Sequence, residues 1–135
     1  EHERTIILIN LERTDKREIW LSFTIGSLDA LIDAFNNVRK SCNASIEVVM
    51  DMSILTRKRR SNAKKVSVEL RPGDETRIAR YHNQIIWWFC HEDIDDAIWQ
   101  LTRCKDEGLF YPPEFLFVQV QDSRQDDFVY CRLID

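Results

Sequence analysis

Apolar residues recur along this chain in two rhythms. Residues 4–12, "RTIILINLE", form an apolar β-branched run, and in residues 18–24, "EIWLSFT", Ile19, Leu21 and Phe23 alternate with Trp20 and Ser22. A period of two sends neighbouring side chains to opposite faces, so both segments read as strands, and the polar "RTDKR" between them reads as a hairpin turn. From Ser27 the spacing lengthens. Leu28, Leu31, Ile32, Phe35 and Val38 recur every three or four residues, predicting a helix that ends near Ser41, capped by Ser27 with Asp29 in its first turn.

The shorter period then returns in residues 45–55, "SIEVVMDMSIL", and 64–70, "KKVSVEL". After the turn dipeptide Pro72-Gly73 comes "QIIWWFC", residues 84–90, which is apolar on both faces: Ile85, Trp87 and Phe89 on one, Ile86, Trp88 and Cys90 on the other. Such a strand is covered on both sides, or covered on one and pressed on the other against a partner, a second copy of the chain included. A second helix follows to about Glu107, stopped by Gly108 and Pro112-Pro113, and "EFLFVQVQ" and "FVYCRLI" close the chain as a hairpin. The predicted order is ββα, ββ, βα, ββ: a single α+β domain spanning residues 1–135, with a largely antiparallel sheet of about seven strands and two helices. Strand pair followed by helix recurs in both halves as topology, without a repeat in sequence.

Composition narrows the function. With 135 residues, a core of ordinary size folds without a disulfide or metal staple. No apolar run approaches a membrane span, and three glycines leave little room for a glycine-rich phosphate loop. Cys42, Cys90, Cys104 and Cys131 stand far apart with no CxxC pair, which favours reduced thiols and a cytoplasmic setting. GxSxG, HExxH and dinucleotide fingerprints are missing, so catalysis and cofactors are not assigned.

"CHEDIDDAIW", residues 90–99, concentrates the candidate chemistry. A metal is not expected there: if Cys90 ends a strand and His91 opens a helix, their side chains diverge. On a helical wheel Ile94, Ala97, Ile98, Leu101 and Cys104 form one apolar stripe. The opposite face carries Glu92, Asp95, Asp96, Arg103, Asp106 and Glu107, with Trp99 in their midst. The acids at the helix start have a structural reason, since carboxylates complement the unpaired N–H groups there. Trp99 has none of that kind. Either the closing strands fold over it or it is an exposed anchor for a partner.

"RKRRSNAKK", residues 57–65, carries Arg57, Lys58, Arg59, Arg60, Lys64 and Lys65. Such a loop suits phosphate contacts, a solvated hairpin tip, or a fold-back onto the protein's own acids. The whole chain holds 19 basic and 23 acidic residues, so outside this loop 13 face 23, a net of −10. That body repels nucleic acid and attracts a basic protein.

Chain length, acidity, element order and the segment "QIIWWFCHEDIDDAIWQLTRC" leading into a closing hairpin resemble the small cytosolic immunity proteins of bacterial toxin–immunity pairs, such as those of contact-dependent growth inhibition. The basic loop departs from that pattern. The resemblance implies a toxin partner held by the acidic surface and neutralised by occlusion, and it transfers no residue roles. The expectation is a non-catalytic inhibitor that docks a basic, nuclease-type partner through Glu92, Asp95, Asp96, Trp99, Arg103 and Asp106. The alternative is a nucleic-acid-associated regulatory module using the basic loop.

Overall fold

The computed structural model describes residues 8–56 and 62–134. Their order is β1 (Ile9–Asp15), β2 (Glu18–Thr24), α1 (Ile25–Arg39), β3 (Ala44–Asp51), α2 (Ser53–Thr56), β4 (Ala63–Pro72), β5 (Arg77–Tyr81), β6 (Gln84–Phe89), α3 (His91–Glu107), β7 (Glu114–Val120) and β8 (Asp126–Ile134). The eight strands close on themselves in the order β1-β2-β8-β7-β5-β6-β4-β3. Four antiparallel hairpins, β1–β2, β3–β4, β5–β6 and β7–β8, are joined edge to edge by four parallel pairings. Even-numbered strands therefore run one way and odd-numbered strands the other. Every hairpin turn falls at one end of the barrel, and α1 and α3 leave from the opposite end.

The two halves are built alike. Strands β1–β4 with α1 and strands β5–β8 with α3 are each ββαββ, and exchanging the halves maps the strand order onto itself. Register follows the same rule: Asn10↔Val49 and Leu11↔Met50 form one parallel seam, and Arg77↔Gln119 and Ile78↔Val120 form the other. Among the described residues each of these seams pairs two residues with two. Between them the one closed sheet runs as two four-stranded arcs, the β1-β2-β8-β7 sheet face and the β5-β6-β4-β3 sheet face, each taking a hairpin from each half.

Inward strand residues such as Leu11, Leu21, Met50, Leu70, Ile78, Val120 and Val129 share one core with Leu28, Leu31, Phe35 and Val38 of α1 and Ile94, Ala97, Leu101 and Cys104 of α3. Phe35 sets its ring edge-on against Phe89 and Phe115, at centroid distances of 4.9 and 6.2 Å. The helices thus fill the end of the barrel that the strands leave open, and burial of their apolar stripes fixes their roll.

This architecture corrects the sequence expectation. Among the described residues the protein is a closed, mixed eight-stranded barrel with three short helices, mostly β, and not an open, largely antiparallel α+β sheet of seven strands with two helices. The missed strand is β5. "RIARY" carries one buried apolar residue, Ile78, and is held by β6 on one side and β7 on the other rather than by its own pattern. The parallel junctions join segments far apart in sequence, and nothing in a local period encodes them. Two local expectations also shift. Ile54 and Leu55 are buried by the single turn α2 and not by a longer β3. Helix α1 opens at Ile25, two residues before Ser27, whose buried hydroxyl donates to the Thr24 carbonyl at 2.8 Å instead of capping.

Candidate functional site

The acidic stretch begins where β6 hands over to α3. Cys90 is the extended N-cap residue, and its carbonyl accepts the Ile94 N–H at 3.0 Å. Thr76, just before β5, ties this corner to the neighbouring hairpin: its hydroxyl accepts the Cys90 N–H at 3.1 Å and donates to the Asp93 carboxylate at 2.5 Å. Asp93 is thereby spent on the fold. His91 turns away and places Nε2 3.5 Å from Asp95. Cys90 and His91 thus serve different partners, and among the described residues no three His, Cys, Asp or Glu side chains gather as metal ligands.

The apolar stripe of α3 is buried as the wheel requires, with Ile98 packed at its margin. Its opposite face holds Glu92, Asp95, Asp96 and Asp106 exposed to solvent and Arg103 half-buried. Trp99 lies among them at 62% exposure, so no strand folds over it. Arg103 sits with its guanidinium 5.4 Å from the Trp99 ring centroid, while its Nε donates to Glu107 at 3.2 Å. A charged group over the ring face and an ion pair behind it restrict the indole without covering it. The six predicted residues therefore share one surface.

Beside Trp99 runs a groove of about 280 Å³, between α3 and the chain leading into β7. Asp96, Gln100 and Arg103 line one wall, and Leu109, Tyr111 and Glu114 the other. Gln100 fixes its width: the side-chain amide donates to the Phe115 carbonyl at 3.1 Å, linking helix to strand. Leu109 and Tyr111 are 50% and 69% exposed, so together with Trp99 they make an apolar surface inside an acidic border. Sequence reasoning missed both, although Gly108 ends the helix at φ 77° and throws the next residues alongside it.

The remaining predicted features lie elsewhere. Arg57, Lys58, Arg59 and Arg60 fall outside the described residues. Lys64 and Lys65 are exposed on β4, Lys65 lying 3.4 Å from Glu47, at the hairpin end and so away from α3. On "QIIWWFC" the outward Ile86 is buried by its neighbours and Trp88 is overlaid by Arg77 at 4.4 Å. The strand's second face is thus covered within the molecule. At the hairpin end a cavity of about 1650 Å³ is lined by charged groups that include Arg13, Asp15, Lys16, Arg17, Asp51, Arg124 and Asp127, three of which engage one another. Arg13 pairs with the buried Asp127 at 2.8 Å, and its N–H donates to Asp51 at 3.3 Å. Glu69 binds Arg71 on the barrel exterior.

All four cysteines are free: Cys104 and Cys131 are buried, Cys90 half-buried and Cys42 exposed. Burial pushes the Cys131 thiol well above its ordinary range, with Cys104 adding to it, and burial and Glu107 raise Cys104. Both stay protonated and poorly nucleophilic at neutral pH. No helix among the described residues is long and apolar enough to cross a membrane. Neither a family model, nor a curated protein, nor a solved structure matches the chain.

Proposed function

We propose that the protein is a non-catalytic inhibitor, of the toxin-neutralising immunity type, that binds a basic protein through the outward face of α3 and acts by occlusion in the cytoplasm. One observation carries this reading. Trp99 stands 62% exposed on a face shared with Glu92, Asp95, Asp96 and Asp106, and its ring lines a groove that Leu109 and Tyr111 border from the other side. A free tryptophan held in one orientation gives a partner a large anchor at small entropic cost, and the acids around it accelerate encounter with a cation-rich surface. The site offers no activated nucleophile and no convergent acid–base pair, so occlusion is the mechanism it suits.

The test is capture of the tagged protein from its native lysate after nuclease treatment, followed by titration of the recovered partner with the wild type and Trp99→Ala. A stoichiometric basic partner, bound about 30-fold or more weakly by a variant of unchanged melting temperature, is the expected outcome. Recovery of nucleic acid alone transfers the function to the basic loop. A collapsed melting temperature makes Trp99 a packing residue.

A further inference from the structure

The outer face of the β1-β2-β8-β7 sheet carries four aromatic rings in a continuous ladder. Trp20 stacks on Tyr130 at 5.2 Å, Tyr130 on Phe128 at 5.5 Å, and Phe128 meets Phe117 at 4.0 Å. Inward neighbours on the same strands, Ile19, Leu21, Val129 and Cys131, are buried in the core, so these rings lie on the solvent side. Trp20, Phe128 and Tyr130 are half-buried by one another, and Phe117 is 51% exposed.

The twofold architecture offers an internal control for what the fold itself requires there. Trp20 pairs with Tyr130 across β2–β8, and Phe128 with Phe117 across β8–β7. In the other sheet the corresponding pairs are Ile86 with Glu69 across β6–β4, and Ser67 with Glu47 across β4–β3. The same outward positions are thus served in one sheet by four aromatics and in the other by an isoleucine, a serine and two glutamates. Barrel closure does not need the rings. Large apolar groups kept on a solvent face without a structural demand mark an interaction surface.

Two further features say what covers it. First, the strand positions around the ladder are acidic. Glu12 is opposite Trp20, Glu18 accepts the Trp20 Nε1–H at 2.7 Å, Glu114 is opposite Tyr130, and Asp126 follows on β8. The strand cation among them, Arg132, lies 5.4 Å over the Trp20 ring and is paired with Glu12 at 2.9 Å. Second, Glu114 also lines the groove beside Trp99, so the ladder and the α3 face meet along this residue.

We infer that the ladder Trp20–Tyr130–Phe128–Phe117 is a second part of the same docking surface, and that a basic protein bound at α3 extends across it, its arginine or lysine side chains laid over the rings and answered by Glu12, Glu18, Glu114 and Asp126. This rests on the α3 reading, which supplies the anchor. The ladder adds flat aromatic area suited to cationic side chains.

The experiment places a photo-reactive phenylalanine analogue, one position at a time, at Trp99, at Phe117 and at Glu47, the counterpart of Phe117 in the other sheet. Each full-length variant is irradiated in native lysate. Adducts are identified by mass, and the affinity of Phe117→Lys for the cross-linked protein is then measured. One basic protein captured from 99 and 117 but not from 47, and bound roughly tenfold or more weakly by a Phe117→Lys variant of unchanged melting temperature, is the expected result. Capture from 99 alone, or unchanged affinity of Phe117→Lys, overturns the extension and leaves the α3 reading standing. Capture from 117 alone overturns the joint surface and the α3 anchor together. Equal capture from 117 and 47, adducts of the chain with itself, or adducts of nucleic acid overturn the inference, and no adduct at 99 or 117 overturns both readings.

Discussion

Helices α1 and α3 occupy equivalent places in the two halves, and they agree on one face while differing on the other. Each follows the second strand of a hairpin, from the extended N-cap residues Thr24 and Cys90. Counting from those caps, Leu28 corresponds to Ile94, Leu31 to Ala97, Phe35 to Leu101 and Val38 to Cys104, and all eight are buried. The same count brings Asp29 onto Asp95 and Asp33 onto Trp99. The fold thus prescribes the buried positions of both helices and leaves the outward ones open. An aspartate satisfies in α1 the place that holds an exposed tryptophan in α3. The indole therefore answers to something other than folding.

The most damaging way to break this equivalence is through the buried face. Phe35 and Leu101 each close the core beneath their own helix, so Phe35→Ala is expected to cost about 3–5 kcal/mol and Leu101→Ala about 2–5 kcal/mol. Urea unfolding at fixed temperature measures both. A loss confined to one variant would show that the two helices do not share one core. On the outward face the expectation is unequal by design: Trp99→Ala lowers partner affinity by about 2 kcal/mol or more, and Asp33→Ala leaves it unchanged, both with native unfolding midpoints. Equal effects at 33 and 99 would remove the argument that α3 alone is the docking helix.

How much of this was legible beforehand depended on whether a local period carried it. The inward stripe of α3 and the place of Trp99 on its outward face followed from 3.6-residue spacing, because the residues that flank an indole on a helix are its near neighbours in sequence, whereas whether the closing strands cover the indole depends on the barrel and is decided by the structure. Seven of the strands were visible for a similar reason, as period-two alternation or as short continuous apolar runs. Strand β5 was not, since Arg77 and Arg80 flank its single core residue and its stability is borrowed from β6 and β7. Its omission left the twofold build, outlined by the recurrence of strand pair and helix, incomplete, because the second ββαββ lacked its first strand. The aromatic ladder was hidden differently. "FVYCRLI" is apolar at nearly every position, and only closure of the barrel shows that Val129 and Cys131 face in while Phe128 and Tyr130 face out.

The helix ends sharpen the comparison at a smaller scale. α3 stops at Gly108 with φ 77° and nothing within 4 Å of the site of a Cβ, whereas α1 passes through Lys40 into Ser41 at φ 65°. A left-handed backbone suits glycine and strains other residues. Gly108→Ala should therefore destabilise by about 1 kcal/mol through backbone strain alone, and Ser41→Gly should stabilise by a few tenths to about 1 kcal/mol. Thermal unfolding of the two variants decides this: matched shifts of the same sign would mean that the left-handed residue is not what terminates these helices.

The smallest expected effect lies in the contact that joins the two helices. Lys105 of α3 donates from Nζ to the Asp29 carboxylate of α1 at 2.6 Å. The hydrogen bond and charge of Asp29, with lesser help from Asp106 and Asp33 against a small desolvation cost, raise the Lys105 pKa above its ordinary 10.5. Because the folded value is the higher one, the contribution is fully present below pH 10.5 and is lost as pH rises through the elevated pKa. Both partners are exposed, so water and salt screen the pair and the gain is slight. Lys105→Met is accordingly expected to lie marginally below the wild type in stability at neutral pH and to converge on it above pH 10.5, with added salt narrowing the gap at neutral pH. A gap that persists unchanged into the alkaline range would assign the effect to the aliphatic stem of Lys105 packing between the helices rather than to its charge.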